Sequence, residues 1–470
     1  MKKISRFLKT AFIYFSGNML SKMVAFFLLP LYTSRLLPEQ YGTYDLVLSL
    51  INLVAPIAFF QIWDGMFRFA FDYKEEKEKY GIISNSLVTY FGGIGIYILL
   101  FSLIGYVLKF DHFYLAMIYG FFFALQYFYT YVARVFLRNK LFVISGTVNT
   151  LISAILNIIL IVKFNWGVES LYLSPTIGCI VQIIIIEVSI NVIKYFDIKK
   201  INRNIIKELL KFSFPLCIAT VSYWLLSGFS KVIITYILGS YDNGLYAVAN
   251  RFASIITLVV SVFQFAWNEM AYLMANDDNR ENAYSICVDI ILKVVFYGCA
   301  ITCLGIKIIF PFMVDASYNA ALSIIPAAII GVSMNSVAGF LGTLFMTEKK
   351  TIFILYSTIV AAMINCIGSY FCAKYIGLQG VVVVLAIAFT VLMLLRLSKL
   401  RKSFKLRISK RTYLDMAPLI ISIILFYCID KNWQIFIAII IIGMIFFYSF
   451  ITYVKKLKKR NVSYEYNEKD

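Results

Sequence analysis

The sequence predicts an all-α polytopic membrane protein of about 14 transmembrane helices, built as two six-helix lobes with two further helices appended. Three observations carry that prediction. First, 61% of the 470 residues are hydrophobic and only 15% are charged, with a mean hydropathy of +0.82. Soluble domains run at about 45–50% apolar and about 25% charged, so a water-soluble enzyme, a DNA-binding protein and a disordered linker are excluded. Second, the apolar stretches are long and continuous, as spanning helices of roughly 20 residues require; barrel strands would be about ten residues long and alternating. Third, the net charge of +19 is distributed by side rather than spread evenly.

The apolar segments fall at about 11–36, 41–67, 81–108, 113–136, 141–163, 168–192, 212–238, 244–273, 284–313, 320–347, 351–373, 377–398, 413–430 and 432–454. The first is preceded by a basic stretch (MKKISRFLKT), yet its apolar run exceeds signal-peptide length and reads as an uncleaved span. With the N-terminus placed in the cytoplasm, 34 of the 44 lysines and arginines lie on the inner side, Arg396 among them, and five in outer loops. One missed helix would invert every later loop, so the asymmetry supports both the span count and two cytoplasmic termini. Outer loops are very short. The inner segments near 193–211 and 399–412 are longer, basic and amphipathic, as in Ile201–Phe212; they read either as surface helices on the anionic leaflet or as solvated connectors. The eight cysteines all lie in apolar segments without a CxxC pair, and His112 is the only histidine, so neither a disulfide framework nor a metal site is expected.

The chain repeats itself. Leu37–Tyr44 (LPEQYGTY) after the first span resembles Leu238–Tyr246 (LGSYDNGLY) after the seventh, and Gln61–Met66 (QIWDGM) is echoed by Gln264–Met270 (QFAWNEM). Asn157 with Lys163–Gly167 matches Asn365 with Lys374–Gly377 in the same order. Residues 1–200 and 201–400 therefore read as parallel copies of one six-helix lobe, and 401–470 as two additional helices with a basic tail. Such repeats characterise alternating-access transporters with a central site between the halves.

Ser16-Gly17-Asn18 with Ser21-Lys22, followed by Leu36-Leu37-Pro38 and Tyr41-Gly42-Thr43-Tyr44, resembles the opening of the bacterial polysaccharide repeat-unit flippases. These O-antigen and capsule translocases belong to the multidrug/oligosaccharidyl-lipid/polysaccharide exporter superfamily. The resemblance implies a V-shaped bundle of two lobes around a cavity. It also implies carriage of an undecaprenyl-pyrophosphate-linked oligosaccharide from inner to outer leaflet, without enzymatic chemistry. Its expected partners are that glycan lipid, membrane lipids, and a polysaccharide polymerase with a chain-length regulator.

Charged residues inside the bilayer are the candidate site. Lys22 sits about ten residues into its span, about 15 Å deep at 1.5 Å per residue, beyond the reach of a snorkelling lysine; Asn18 lies one turn earlier on the same face. Lys231 and Arg251 lie about 10 Å from the outer ends of spans 7 and 8, with Ser227, Lys231 and Thr235 forming a polar stripe. A diphosphate needs fixed cations in a low-dielectric cavity, and these four residues are the substrate-binding candidates; snorkelling to headgroups is the competing reading for Lys231 and Arg251. Asp45, with Ser49 and Asn52 on one face of span 2, and Glu187 and Glu269 near inner ends, are candidates for coupling to H⁺ or Na⁺, with no other cofactor; a pair with Lys22 or Arg251 is the alternative role for Asp45. Lys293 and Lys307 read as span-edge residues. The stripes Asn149–Ser153–Asn157 and Ser357–Asn365–Ser369 read as helix glue. Trp63, Trp224 and Trp267 are either structural or sugar-stacking. A drug exporter would call for acidic rather than basic mid-membrane residues. A membrane polymerase or glycosyltransferase would call for an outer domain larger than these loops.

Overall fold

The computed structural model describes residues 23–24, 26–73, 75–194, 196–274, 280–347, 350–404, 406 and 408–467. Within them the architecture is all-helical, and twelve helices are long and apolar enough to cross a membrane. The N-terminal half contains α1 (Leu29–Arg35), α2 (Pro38–Ala58), α3 (Ile62–Ala70), α4 (Glu76–Leu108), α5 (Phe113–Val135), α6 (Asn139–Ile158) and α7 (Val168–Ile190). The C-terminal half runs α8 (Arg203–Ser227), α9 (Phe229–Ile237), α10 (Ser240–Leu273), α11 (Arg280–Met313), α12 (Ile325–Thr347), α13 (Thr351–Tyr375) and α14 (Leu378–Phe404). Last come α15 (Lys410–Leu414), α16 (Ala417–Cys428) and α17 (Asn432–Asn467).

Packing repeats as the sequence does. α6 packs along α7 in the first half, and α13 along α14 in the second. Buried polar side chains hold these helices together, because an apolar solvent gives them no hydrophobic reason to associate. Asn149 Nδ2 donates to Gln182 Oε1 (2.7 Å) and Asn157 Nδ2 to the Tyr32 hydroxyl (3.2 Å). Its repeat counterpart Asn365 donates to the Leu226 carbonyl and to Ser230 (both 3.0 Å). Stacked rings fill the space between, with Phe59 and Tyr90 centroids 4.1 Å apart at 6°, an arrangement worth about 0.5–1.5 kcal/mol beyond the area buried.

Two expected spans are interrupted. Span 2 breaks between α2 and α3, where Phe60 and Gln61 both adopt positive φ (54° and 47°). Pro56, inside α2, has no N–H to bond the preceding turn, and Gln61 N–H closes a wide turn on its carbonyl (2.8 Å). Span 7 breaks at Gly228, between Ser227 and Lys231 of the expected stripe. A Cβ at Gly228 would stand 2.5 Å from Trp224 Nε1 and 2.8 Å from Ser49 Oγ, so only glycine fits beside that indole.

Several readings are corrected. Ile201–Phe212 is no separate surface helix: α8 starts at Arg203, and Asn85 on α4 ties the connector by bonds to Lys200 O (2.9 Å) and Asn202 N (2.7 Å). The thirteenth span is short, with α16 only 12 residues long. Arg396 belongs to no inner loop; it is buried in α14 and donates to Ser357 (3.1 Å), Thr358 (3.1 Å) and the Ala338 carbonyl (2.7 Å). Lys293 is no edge residue. It is 1% exposed, pairs with Asp415 at 2.6 Å, and shares that carboxylate with Tyr297 (2.8 Å) and Ser449 (3.1 Å). Four residues earlier on α11, Asp289 accepts from the Ser409 N–H (3.1 Å) and Thr412 (2.9 Å). This network fastens the appended helices to α11. Lys307 pairs with Asp430 (3.3 Å) and donates to the Phe426 and Ile429 carbonyls at the end of α16.

Candidate functional site: a charged seam between the two halves

The seam forms where α2 of the first half lies along α9 and α10 of the second. The repeated turn motifs meet there, at the end of the bundle that carries the short loops. A Cβ on Gly42 would stand 2.5 Å from the Gly244 amide nitrogen and collide with the Ser240 carbonyl, and one on Gly244 would collide with the Pro38 carbonyl. Backbone therefore touches backbone. Asn243, fully buried, donates to the Gly42 carbonyl at 2.7 Å. The glycine in each copy of the repeat is thus there for the other copy.

Down α2 from this contact, Tyr41, Asp45 and Ser49 follow at four-residue spacing and so share one face. Each reaches the second half. The Tyr41 hydroxyl accepts from Arg251 Nε (3.3 Å), Asp45 pairs with Lys231 Nζ (2.7 Å), and the Ser49 carbonyl accepts from Trp224 Nε1 (2.8 Å). The Lys231 and Asp45 side chains are 18% and 16% exposed. The pair is therefore partly dry and electrostatically strong, yet within reach of a ligand. Arg251 has no carboxylate at ion-pair distance among the described residues; its partner is a phenol, and Tyr41 is itself surrounded by Tyr32, Tyr44 and Tyr318 with centroids 6.2–6.5 Å away. A half-buried guanidinium whose one bond among the described residues goes to a neutral oxygen keeps most of its five donors for an anion. Next to the seam a cavity of about 130 Å³ opens in the second half, lined by Ser227, Tyr246, Asn250, Asn335 and Phe389 among others.

The structure thus brings together three of the candidates, Lys231, Arg251 and Asp45. Asp45 pairs with Lys231 rather than with Arg251. Lys22 and Asn18 lie outside the described residues, as does the side chain of Glu269. Glu187 sits elsewhere, at the end of α7 away from the seam. Its carboxylate accepts from the Tyr129 hydroxyl (3.2 Å) and the Val192 and Ile193 N–H groups (3.1 and 2.9 Å), clamping the chain that leaves the helix. Asn52 turns back onto its own Leu48 carbonyl (2.8 Å). Trp63 and Trp267 are buried, Trp267 stacked on Phe340 (4.5 Å, 11°), so neither offers a face to a sugar. Tyr41 and Trp224 were missed as seam residues. The four-residue spacing Tyr41–Asp45–Ser49 was the available signal for Tyr41.

A family model described as polysaccharide biosynthesis protein matches residues 7–267. No curated protein matches the sequence. Among solved structures, the chain resembles a multidrug resistance MATE family transporter of the MOP superfamily in its inward-facing conformation. The TM-score is 0.69 at 14% identity, covering 83% of this chain and 94% of the other. An outward-facing structure of such a transporter gives 0.58 at 16% identity, covering 84% and 96%. The lipid II flippase MurJ, inward closed, gives 0.64 at 15% identity, covering 97% and 100%. With the family model spanning more than half of the sequence, the chain belongs to the polysaccharide biosynthesis protein family, and it shares its multi-pass helical fold with these transporters along most of its length.

Proposed function

We propose that this protein is a flippase, not an enzyme, that carries an undecaprenyl-pyrophosphate-linked oligosaccharide from the inner to the outer leaflet of a bacterial cytoplasmic membrane. The observation that carries the reading is the seam itself. Two cations, Lys231 and Arg251, stand where the halves of the repeat meet, one held by a carboxylate of the opposite half and the other by a phenol. A diphosphate matches both, because it accepts a bidentate fork from arginine and a point charge from lysine. On binding it competes with Asp45 for Lys231 and with Tyr41 for Arg251, and so removes the bonds that tie the halves across the seam. Substrate binding then favours separation at that end, which is what alternating access between residues 1–200 and 201–400 requires. Lys22 and Asn18, outside the described residues, are further substrate-binding candidates of this reading, and residues 401–470 are its accessory pair of helices with a basic tail.

The distribution of basic residues supports the orientation, with both termini cytoplasmic and the glycine contact facing outward. The family description supports a glycan substrate. Two seam cations against one carboxylate weigh against a cationic drug. The test is reconstitution of purified protein in liposomes with a fluorescent undecaprenyl-pyrophosphate oligosaccharide. Protein-dependent loss of the label to an external quencher is expected, together with its abolition in Arg251→Ala. Equal transbilayer movement in protein-free liposomes, or no change in Arg251→Ala, overturns the reading.

A further inference from the structure

The halves meet a second time at the break between α2 and α3, where Gln61 Oε1 accepts from Thr220 Oγ1 on α8 (2.9 Å). The same place exists in the other copy of the repeat, and the two are built differently. In the second half Gln264 Nε2 donates to Asn268 Oδ1 (2.7 Å) and Thr343 Oγ1 (2.9 Å), and the Thr343 hydroxyl donates to the same Asn268 oxygen (2.7 Å). The neighbouring Trp267 is buried and stacked on Phe340, so this cluster is closed on itself. In the first half Gln61 Nε2 donates to Asp64 Oδ2 (2.8 Å), but the residue after the tryptophan is here a carboxylate. A carboxylate offers about four lone-pair sites, and this one has no ion pair among the described residues. Arg68 is engaged with Asp72 (2.7 Å), and Arg134 lies over the Phe67 and Tyr131 rings (4.5 and 4.8 Å).

The aromatic groups differ in the same sense. Tyr119, Phe123, Tyr127 and Tyr131 follow at four-residue spacing down α5 and so form one stripe. The Tyr127 ring stands 4.9 Å from Phe123 and 5.9 Å from Trp63 on α3, with Asp64 within electrostatic reach of its hydroxyl. Tyr114 and Ile118, both exposed, mark the lipid face of α5. Tyr127 is nine residues beyond Ile118, about two and a half turns, and therefore faces the opposite way, toward α3 and the second half. It is nonetheless 40% exposed. An open aromatic ring on the protein side of its helix, beside a half-buried carboxylate, matches a pyranose: the apolar face of the sugar lies on the ring and its hydroxyls donate to the carboxylate. From Asp45 to Ala58, α2 runs about 20 Å. The charged seam and this place can therefore hold different parts of one ligand, the diphosphate there and sugars here.

We propose that Asp64, Gln61 and the open Tyr127 ring form a sugar subsite of the first half, and that Asp64 makes it select uncharged sugars over acidic ones. The inference rests on the reading of the chain as a carrier of glycan lipids. Its selectivity runs against that of the seam, because a uronate brought to Asp64 meets a like charge in a partly dry site. Binding to purified full-length protein is measured with three fluorescent lipids: undecaprenyl pyrophosphate alone, the same lipid carrying a tetrasaccharide of neutral hexoses, and one whose hexoses are replaced by hexuronic acids. Native protein should bind the neutral glycan lipid about fivefold or more tightly than the acidic one, although the acidic one brings more negative charge to the seam. Asp64→Asn should abolish or reverse that preference. Tyr127→Ala should weaken binding of the neutral glycan lipid about fivefold, and Tyr127→Phe should bind it as native protein does. Affinity for undecaprenyl pyrophosphate alone should stay native in all three variants. Equal or tighter binding of the acidic lipid by native protein, or a preference unchanged in Asp64→Asn, overturns the proposal. So does an equal loss of all three lipids in Tyr127→Ala. If Asp64→Asn lowers the unfolding temperature, Asp64→Glu decides: the native preference supports the subsite and its loss refutes it. In liposomes, failure of native protein to move any of the lipids sinks the transport reading and leaves the binding preference standing. Movement of the lipids with a preference that Asp64→Asn does not alter sinks the subsite and leaves transport standing.

Discussion

Lys231–Asp45 and Lys293–Asp415 are both lysine–aspartate pairs, 2.7 and 2.6 Å long, and in both the lysine comes from the C-terminal half. They differ in everything around the contact. Lys293 and Asp415 are 1% and 5% exposed, and Tyr297 and Ser449 take up the remaining lone pairs of the carboxylate. Lys231 and Asp45 are 18% and 16% exposed, belong to opposite halves, and lie beside an arginine that has no carboxylate at ion-pair distance among the described residues. A sealed and fully bonded pair fixes one arrangement, because no other state repays the desolvation of its charges. A half-open pair across an interface has a competitor, any anion that enters. The comparison separates a charge that holds the molecule together from one available to work.

The largest effect is expected from Lys293→Met, which leaves the Asp415 carboxylate buried without its cation at a cost of about 3–5 kcal/mol. Membrane accumulation and the thermal unfolding temperature should both fall, and Lys293→Met combined with Asp415→Leu should recover much of the loss. If the single variant is as stable as native protein, the sealed pair is no anchor. Next comes Gly244→Val, whose side chain has no room against Pro38. The protein should remain folded, while transport falls at least tenfold because the seam cannot close.

At the half-open pair, Lys231→Ala should reduce surface polysaccharide by about tenfold or more with protein retained in the membrane, and Lys231→Arg should restore part of it. Asp45→Asn sharpens the comparison. Removing the internal competitor should strengthen binding of inorganic pyrophosphate several-fold, seen as a larger ligand-induced rise in unfolding temperature than in native protein. A smaller rise would show that Asp45 positions Lys231 rather than competing for it. The smallest effect is expected from Trp267→Phe, which removes the indole donor to the Phe340 carbonyl (3.0 Å). About 1 kcal/mol of stability should be lost, with flipping of the fluorescent lipid unchanged.

Much of the fold was legible because membrane helices announce themselves through length and hydropathy, and loops through basic residues. The internal repeat was legible too, in Gly42 and Gly244, although the sequence offers no hint that these glycines touch each other. Lys293 was misread because its partner lies 122 residues away on a helix of another segment; depth along one span says nothing about what faces the side chain. Arg396 looked like a loop cation because it precedes Lys399 and Arg401, yet the helix continues and turns it inward onto Ser357 and Thr358. Asp64 was visible only as part of the repeated QIWDGM motif. That it has no ion pair among the described residues depends on where Arg68 and Arg134 point, onto Asp72 and onto the Phe67 and Tyr131 rings.

By itself the sequence determined the membrane setting, the span pattern, the doubled architecture and a short roster of intramembrane charges. These follow from composition and periodicity, which act locally along the chain. Only the tertiary structure decided which of those charges are sealed and which are available. That depends on partners brought from distant helices and on a few positions: Gly42 and Gly244, where backbones approach too closely for any side chain, and Gly228, packed against the Trp224 indole.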